Sequence, residues 1–269
     1  MILHVIQSIS LSGDAAVPND DRAGAIDGLA WVIDGATDLG PPGLVGARGG
    51  AAWLAREADL ALAVAPEASL EAMIAGIADR LAARFAAVRT REPAGRWELP
   101  IAAMLATRLD GDVLETALLG DCVGLLACGE RVTRFGAVEE SREAESAAAA
   151  RLGAGAKVRS PEILASVRAG RGAPDKRVLG VDPATARPTM ARLPIAPGDD
   201  LLLMTDGFAA LVDVYQEFDA TSLVAAMRSE GLAALAGRLR QIEAGDAVCR
   251  VWPRFKASDD ATALWVRVG

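Results

Sequence analysis

Several aspartates of this chain stand where a carboxylate is costly. Asp34 closes the run "LAWVIDG" and Asp206 closes "LLLMTDG", so each follows Trp, Val, Ile or Leu residues that belong inside a sheet. Asp121 opens "DCVGLLAC", Asp259 and Asp260 open the terminal "ATALWVRV", and Asp20 and Asp21 precede the first hairpin. A carboxylate at such an edge loses hydration, a cost met by pairing, by a cation or by protonation. If folding brought these strand ends to one rim, the acids would repel: two unit charges 4 Å apart interact at about 4 kcal/mol for an effective dielectric near 20. Divalent cations resolve that conflict. The candidate ligands are all oxygens, the chain has a single histidine, and its three cysteines form no CxxC pair, so magnesium or manganese fits better than zinc or copper. On spacing alone, separate solvated strand ends remain the alternative.

The chain also has Asp-Gly at 27 and 110, where an ordinary turn suffices: Asp bonds its own backbone and Gly accepts positive φ. Residues 2–11 read as a strand, and "RAGAIDG" and "LAWVIDG" as a hairpin turning at Asp27-Gly28. A helix is expected over about 47–64. A second follows the candidate cap Ser69, with Leu70, Met73, Ile74, Ile77, Leu81, Phe85 and Val88 recurring at helical spacing. Residues 98–135 offer about four short strands in a meander. The stretch 139–178 is polar, Ala-rich and Gly-rich with weak helical character, which suits a mobile surface insertion. "DDLLLMTDG" and "DATALWVRV" read as further strands flanking helical stretches near 222–227 and 232–242. Strict βαβ alternation is missing, so a mixed layered domain is expected over a doubly wound one, and no internal repeat or splitting linker is visible.

With 269 residues and 52% hydrophobic content the chain can bury a large core. Its net charge of -8 argues against a general nucleic-acid or anionic-membrane surface, which needs clustered Lys and Arg. Cys122, Cys128 and Cys249 are expected to be reduced thiols of a cytoplasmic protein. The opening "MILHVIQSIS" has no basic start and turns polar at Ser8, and no run has the ~18 apolar residues of a spanning helix.

In order and approximate separation, "NDDR", "VIDGATD", "LLGDCVGLL", "VLGVD", "DDLLLMTDGF" and "DDATALWV" resemble the motifs of the protein phosphatase 2C family over nearly the whole chain. The resemblance implies an α+β fold, a four-layer α-β-β-α sandwich of two mostly antiparallel sheets flanked by helices. It implies one domain over 1–269, with a variable flap at about 139–178. It also implies a Mn2+- or Mg2+-dependent phosphatase, in a bacterial cytoplasm, that hydrolyses phosphoserine and phosphothreonine in proteins or small phosphomonoesters, with no nucleic-acid or membrane partner.

Carried over by position, Asp34 resembles the carboxylate bridging two metal ions, and Gly35 would lend its carbonyl to one of them. Asp20 stands where the family has Glu, Asp21 matches the acid beside it, and Asp206 and Asp259 match the remaining carboxylates around the pair. Asp121, with Asp206, matches the site of a third, weaker ion. A hydroxide bridging the two metals is the expected nucleophile, so Asp34 and Asp206 act through metal-bound water.

The departures bear on activity. Many relatives have Asp-Gly-His-Gly-Gly, whose His serves as general acid; here Ala36 takes that place, and His4 lies in the N-terminal strand. Metal-bound water, Thr37 or Asp38 would have to protonate the leaving group. The family's phosphate-binding Arg falls at Ala16, with Arg22 and Arg48 as substitutes. "GDCVG" lacks the common Ser-Arg, and Asp260 replaces an Asn. These gaps motivate a second reading, a weakly catalytic or inactive metal-binding module that recognises a phosphoprotein or partner. A haloacid-dehalogenase-like enzyme is disfavoured, since its nucleophilic Asp would fall at Val32.

Overall fold

In the computed structural model, which describes residues 1–64, 69–137, 146–151, 161–173 and 175–269, strand periodicity builds two antiparallel sheets. One has the order β1 (Leu3–Leu11), β11 (Ala261–Val268), β10 (Asp200–Met204), β6 (Val123–Cys128), β7 (Arg131–Gly136). The other runs β2 (Arg22–Ile26), β3 (Leu29–Gly35), β4 (Ile101–Asp110), β5 (Val113–Leu119), β9 (Thr189–Pro194), with the short β8 (Leu179–Gly180) pairing β4.

Alternation along β3 assigns its faces. Leu29, Trp31 and Ile33 pack on helices α1 (Gly50–Leu62) and α2 (Leu70–Val88) through Leu54, Leu62, Ile74 and Leu81. Ala30 and Val32 point the other way, into a core shared with Leu201, Leu203, Leu264 and Val266 of the opposite sheet. Leu202 and Met204 of β10 turn outward to a second helical layer, where Phe208, Leu223, Met227, Leu235 and Leu239 cover them. The molecule is therefore helices, sheet, sheet, helices, the four-layer α+β order the motifs imply.

The second helical layer comprises α4 (Asp206–Asp213), α5 (Ala220–Glu230) and α6 (Leu232–Gly245), while α3 (Pro161–Arg171) belongs to the flap region. Sequence reading placed α2 and its cap well: Ser69 Oγ accepts from the Ala72 N–H at 3.2 Å. Other details differ. The run ending in Asp206 was expected to be strand throughout, but β10 stops at Met204, and Asp206 is the first residue of α4. Strand β9 was not expected at all; its residues are largely exposed, so it lacks an apolar alternation. Of the expected flap, residues 139–145, 152–160 and 174 lie outside the described residues; 161–171 form a helix with one buried side chain, Ile163.

Candidate metal centre

The period of two along β3 explains Asp34. It shares the parity of Ala30 and Val32, so its carboxylate emerges on the face between the sheets, one residue before the strand ends at the rim. From the other sheet, Asp206 arrives at the first turn of α4, directly after β10, where an acid also suits the helix N-terminus. Asp121 follows the β5–β6 turn at Gly120, whose φ of +81° suits glycine. One carboxylate oxygen from each of Asp34, Asp121 and Asp206 lies within 4.8 Å of the others, all three residues being half-buried.

The four Asp-Gly pairs divide as the sequence suggests, for two separate physical reasons. Asp27 (φ 50°) and Gly111 (φ +61°) occupy the left-handed region in hairpin turns. At Gly35 and Gly207 the demand is space: a β-carbon on Gly35 would stand 2.8 Å from the Asp20 β-carbon, and one on Gly207 would stand 2.0 Å from the Asp260 carbonyl oxygen. The glycines let the loops bearing the other acids close onto the rim.

Those loops hold a second group of acids. Asp260 accepts from the backbone N–H of Gly13 at 2.8 Å and of Asp20 at 2.7 Å, so it braces the loop between β1 and β2. Burial, then Asp260 and Asp38, push the Asp20 carboxyl up to about 7. Asp21 is 1% exposed, and its Oδ2 accepts from Thr205 Oγ1 at 2.8 Å. Burial followed by the nearby charge of Asp34 raises its pKa well above the carboxylate range, against the Thr205 and Thr262 hydroxyls. Asp21 Oδ1 is buried with no hydrogen-bond donor among the described residues. Asp259 lines the same cleft as Asp34, Asp121 and Asp206, but its Oδ1 is engaged by Lys256 Nζ at 2.7 Å.

This donor set fits a hard divalent cation. It is all oxygen, three carboxylates converge, and burial together with the neighbouring acids drives Asp20 and Asp21 toward protonation. The cleft around them has a volume of about 540 Å³ and includes the Gly35 backbone.

Other expected residues sit elsewhere. Arg22 Nη1 donates to the carbonyls of Asn19 and Asp21 and fixes its own loop, and Arg48 is exposed; neither lines the cleft. His4 is exposed on the edge strand β1. Asp38, a candidate proton donor by sequence, instead accepts from the N–H groups of Gly50 (2.6 Å) and Ala51 (3.3 Å), supplying the cap that Gly49 lacks on α1. Thr37 does line the cleft, as does Ala36.

Sequence reading missed the cations. Arg171 reaches the cleft from the last turn of α3, its Nη1 donating to the Thr37 carbonyl at 2.6 Å; burial lowers its pKa to about 10, against the raising effect of Asp38. Arg168, one turn earlier, stacks 3.9 Å above the Trp97 ring and donates to the Leu39 carbonyl at 2.7 Å, docking α3 beside the loop after β3. Lys256 and Arg254 enter from the segment between α6 and β11. Arginines in a polar insertion gave no periodic signal, and only the basic last turn of α3 hinted at a role.

Solved structures sharing this fold include serine/threonine phosphatases. The Mycobacterium tuberculosis serine/threonine phosphatase PstP/Ppp matches with a TM-score of 0.60 and 17% identity, over 100% of this chain and 99% of its own. The catalytic domain of PstP in complex with two manganese ions gives 0.58 and 18%, over 100% and 99%. The PPM Ser-Thr phosphatase MsPP from Mycobacterium smegmatis, in complex with cacodylate, gives 0.55 and 19%, over 98% and 99%. No protein-family model and no curated protein sequence matches the chain. At these identities the likeness establishes the fold, that of the phosphatase 2C-like enzymes.

Proposed function

We propose that the chain, as one unit over 1–269, is a Mn2+- or Mg2+-dependent phosphomonoester hydrolase whose main substrates are phosphoserine and phosphothreonine in proteins. The observation that supports it most is the meeting of Asp34, Asp121 and Asp206, from separate strand ends, in the cleft of a phosphatase fold. The manganese pair of the PstP catalytic domain favours two ions here as well. Asp34 would be shared between them, with Asp206, Asp259 and the Gly35 carbonyl completing the shells, Asp20 contributing through water and Asp21 standing beside it as an accessory acid. A third, weaker ion would rest on Asp121 and Asp206. Bound divalent ions supply Lewis acidity and lower the pKa of water.

The chain's own residues contribute orientation and charge. Arg171, held by Thr37 and facing the cleft, takes the phosphate-binding role in place of Arg22 and Arg48; a guanidinium fork suits phosphate oxygens. Ala36 stands at the family's histidine position and Asp38 is committed to α1, which leaves Thr37 as the candidate side chain that lines the cleft. Alanine at that position favours a second reading, a weak or inactive module that binds a phosphoprotein. The reduced cysteines accord with a bacterial cytoplasm.

Hydrolysis of an aryl phosphate and a phosphothreonine peptide with and without Mn2+ tests the proposal. Metal-dependent release of phosphate, reduced more than about 100-fold in Asp34→Asn and Asp206→Asn without loss of folding, is expected. Saturable peptide binding with no phosphate release would favour the second reading, and full activity in either variant would defeat the metal assignment.

A further inference from the structure

The segment joining α6 to β11 is held more firmly than a surface loop needs to be. Asp246 accepts from the N–H groups of Arg250 (2.8 Å), Val251 (3.2 Å) and Trp252 (3.1 Å), and from Arg254 Nη1 at 2.9 Å. Arg254 also donates to the carbonyls of Asp246 and Ala257, while Arg240 donates to the Asp259 carbonyl at 2.9 Å. Between these anchors the backbone presents Lys256 to the cleft, and its Nζ lies 2.7 Å from Asp259 Oδ1. The ammonium is near enough to Asp34 and Asp260 for their charges to act on it, and its own charge acts on Asp20. Asp259 itself is outside the group formed by Asp34, Asp121 and Asp206.

We propose that the Lys256 ammonium is a built-in cation at Asp259 that competes with the divalent ion this carboxylate would help to hold, so that of the two paired ions the one served by Asp259 is bound only weakly. The proposal rests on the metal centre described above and departs from it in the inequality of the two sites. A lysine ammonium is a compact, strongly hydrated point charge, and carboxylate oxygens satisfy it much as they satisfy a hard ion. A divalent ion seeking Asp259 must displace that pair and accept a positive neighbour.

Calorimetric titration of the metal-stripped full chain with Mn2+ tests this, alongside Lys256→Met, Lys256→Gln and Lys256→Arg, each checked for folding by circular dichroism. The wild type is expected to show one tight and one weak site. Removing the charge, in either neutral variant, should tighten the weak site up to about fivefold, the worth of a half-exposed ion pair, and Lys256→Arg should retain the wild-type inequality. Two sites of equal strength in the wild type, or neutral variants that titrate as the wild type does, overturn the proposal while leaving the metal centre standing. Absence of Mn2+ binding in wild type and variants alike overturns both.

Discussion

Asp34 owes its place to parity, and that is why it was legible. A strand that alternates between two buried faces leaves its terminal carboxylate aimed between the sheets, and "LAWVIDG" shows both the burial and the end of the strand. Asp206 and Asp121 were found by the same cue, an acid at the end of an apolar run beside glycine. Arg171 and Lys256 gave no such cue, because a cation's reach into a cleft depends on how a loop is anchored, through contacts such as Asp246 with Trp252 that join residues of no periodic pattern. Arg22 shows the converse: a basic residue beside the acidic motif looks suited to phosphate, and in the fold it donates to the carbonyls of Asn19 and Asp21. At this scale Arg171→Ala should raise KM for an aryl phosphate roughly ten- to a hundredfold, the loss of a charge-assisted hydrogen bond of about 1.5–3 kcal/mol. The change should fall on KM more than on kcat, and steady-state kinetics at saturating Mn2+ would show it; an unchanged KM would remove Arg171 from the phosphate site.

Helices α1 and α2 were readable since each turns an apolar stripe to a sheet, and Ser69 marks the start of α2. The helix α3 was not, as it buries only Ile163 and is held by polar contacts instead: Arg168 on Trp97 and Leu39, Arg171 on Thr37. A cation resting on an aromatic face contributes about 0.5–2 kcal/mol, enough to dock a helix but invisible to hydrophobic periodicity. Trp97→Ala should therefore speed amide hydrogen exchange across 161–171 while leaving the global melting temperature nearly unchanged. Equal exchange in variant and wild type would mean that α3 is held by something other than this stack. The helix α4 was not expected for a related reason, since the apolar residues of "LLLMTDGF" continue past Thr205 and only the cap position separates strand from helix.

Two sheets back to back give the molecule an apolar core and a rim where strand ends from both sheets meet. The order of layers was implied by the motif resemblance, while the pattern of strands and helices alone indicated only a mixed layered domain. The pairing of β5 with β9 did not, since β9 is exposed along most of its length and its partner strand lies far away in the chain. Global stability should respond to acid through Asp246. Burial alone would raise this carboxyl, but the backbone N–H groups of Trp252, Arg250 and Val251, with Arg254, outweigh it and lower its pKa from 3.8 to about 2. A carboxyl depressed in the folded state stabilises above its ordinary value, and that contribution is lost as pH falls from about 4 towards 2. Asp246→Asn should flatten this part of a denaturation-versus-pH profile, and a profile parallel to the wild type there would show that Asp246 adds nothing. The convergence of distant acids on one cation site is tested most directly by crystals grown with Mn2+ and measured for anomalous scattering. A peak bounded by the carboxylates of Asp34, Asp121 and Asp206 is the expected result; ordered crystals at millimolar Mn2+ with no peak among these three residues would contradict it.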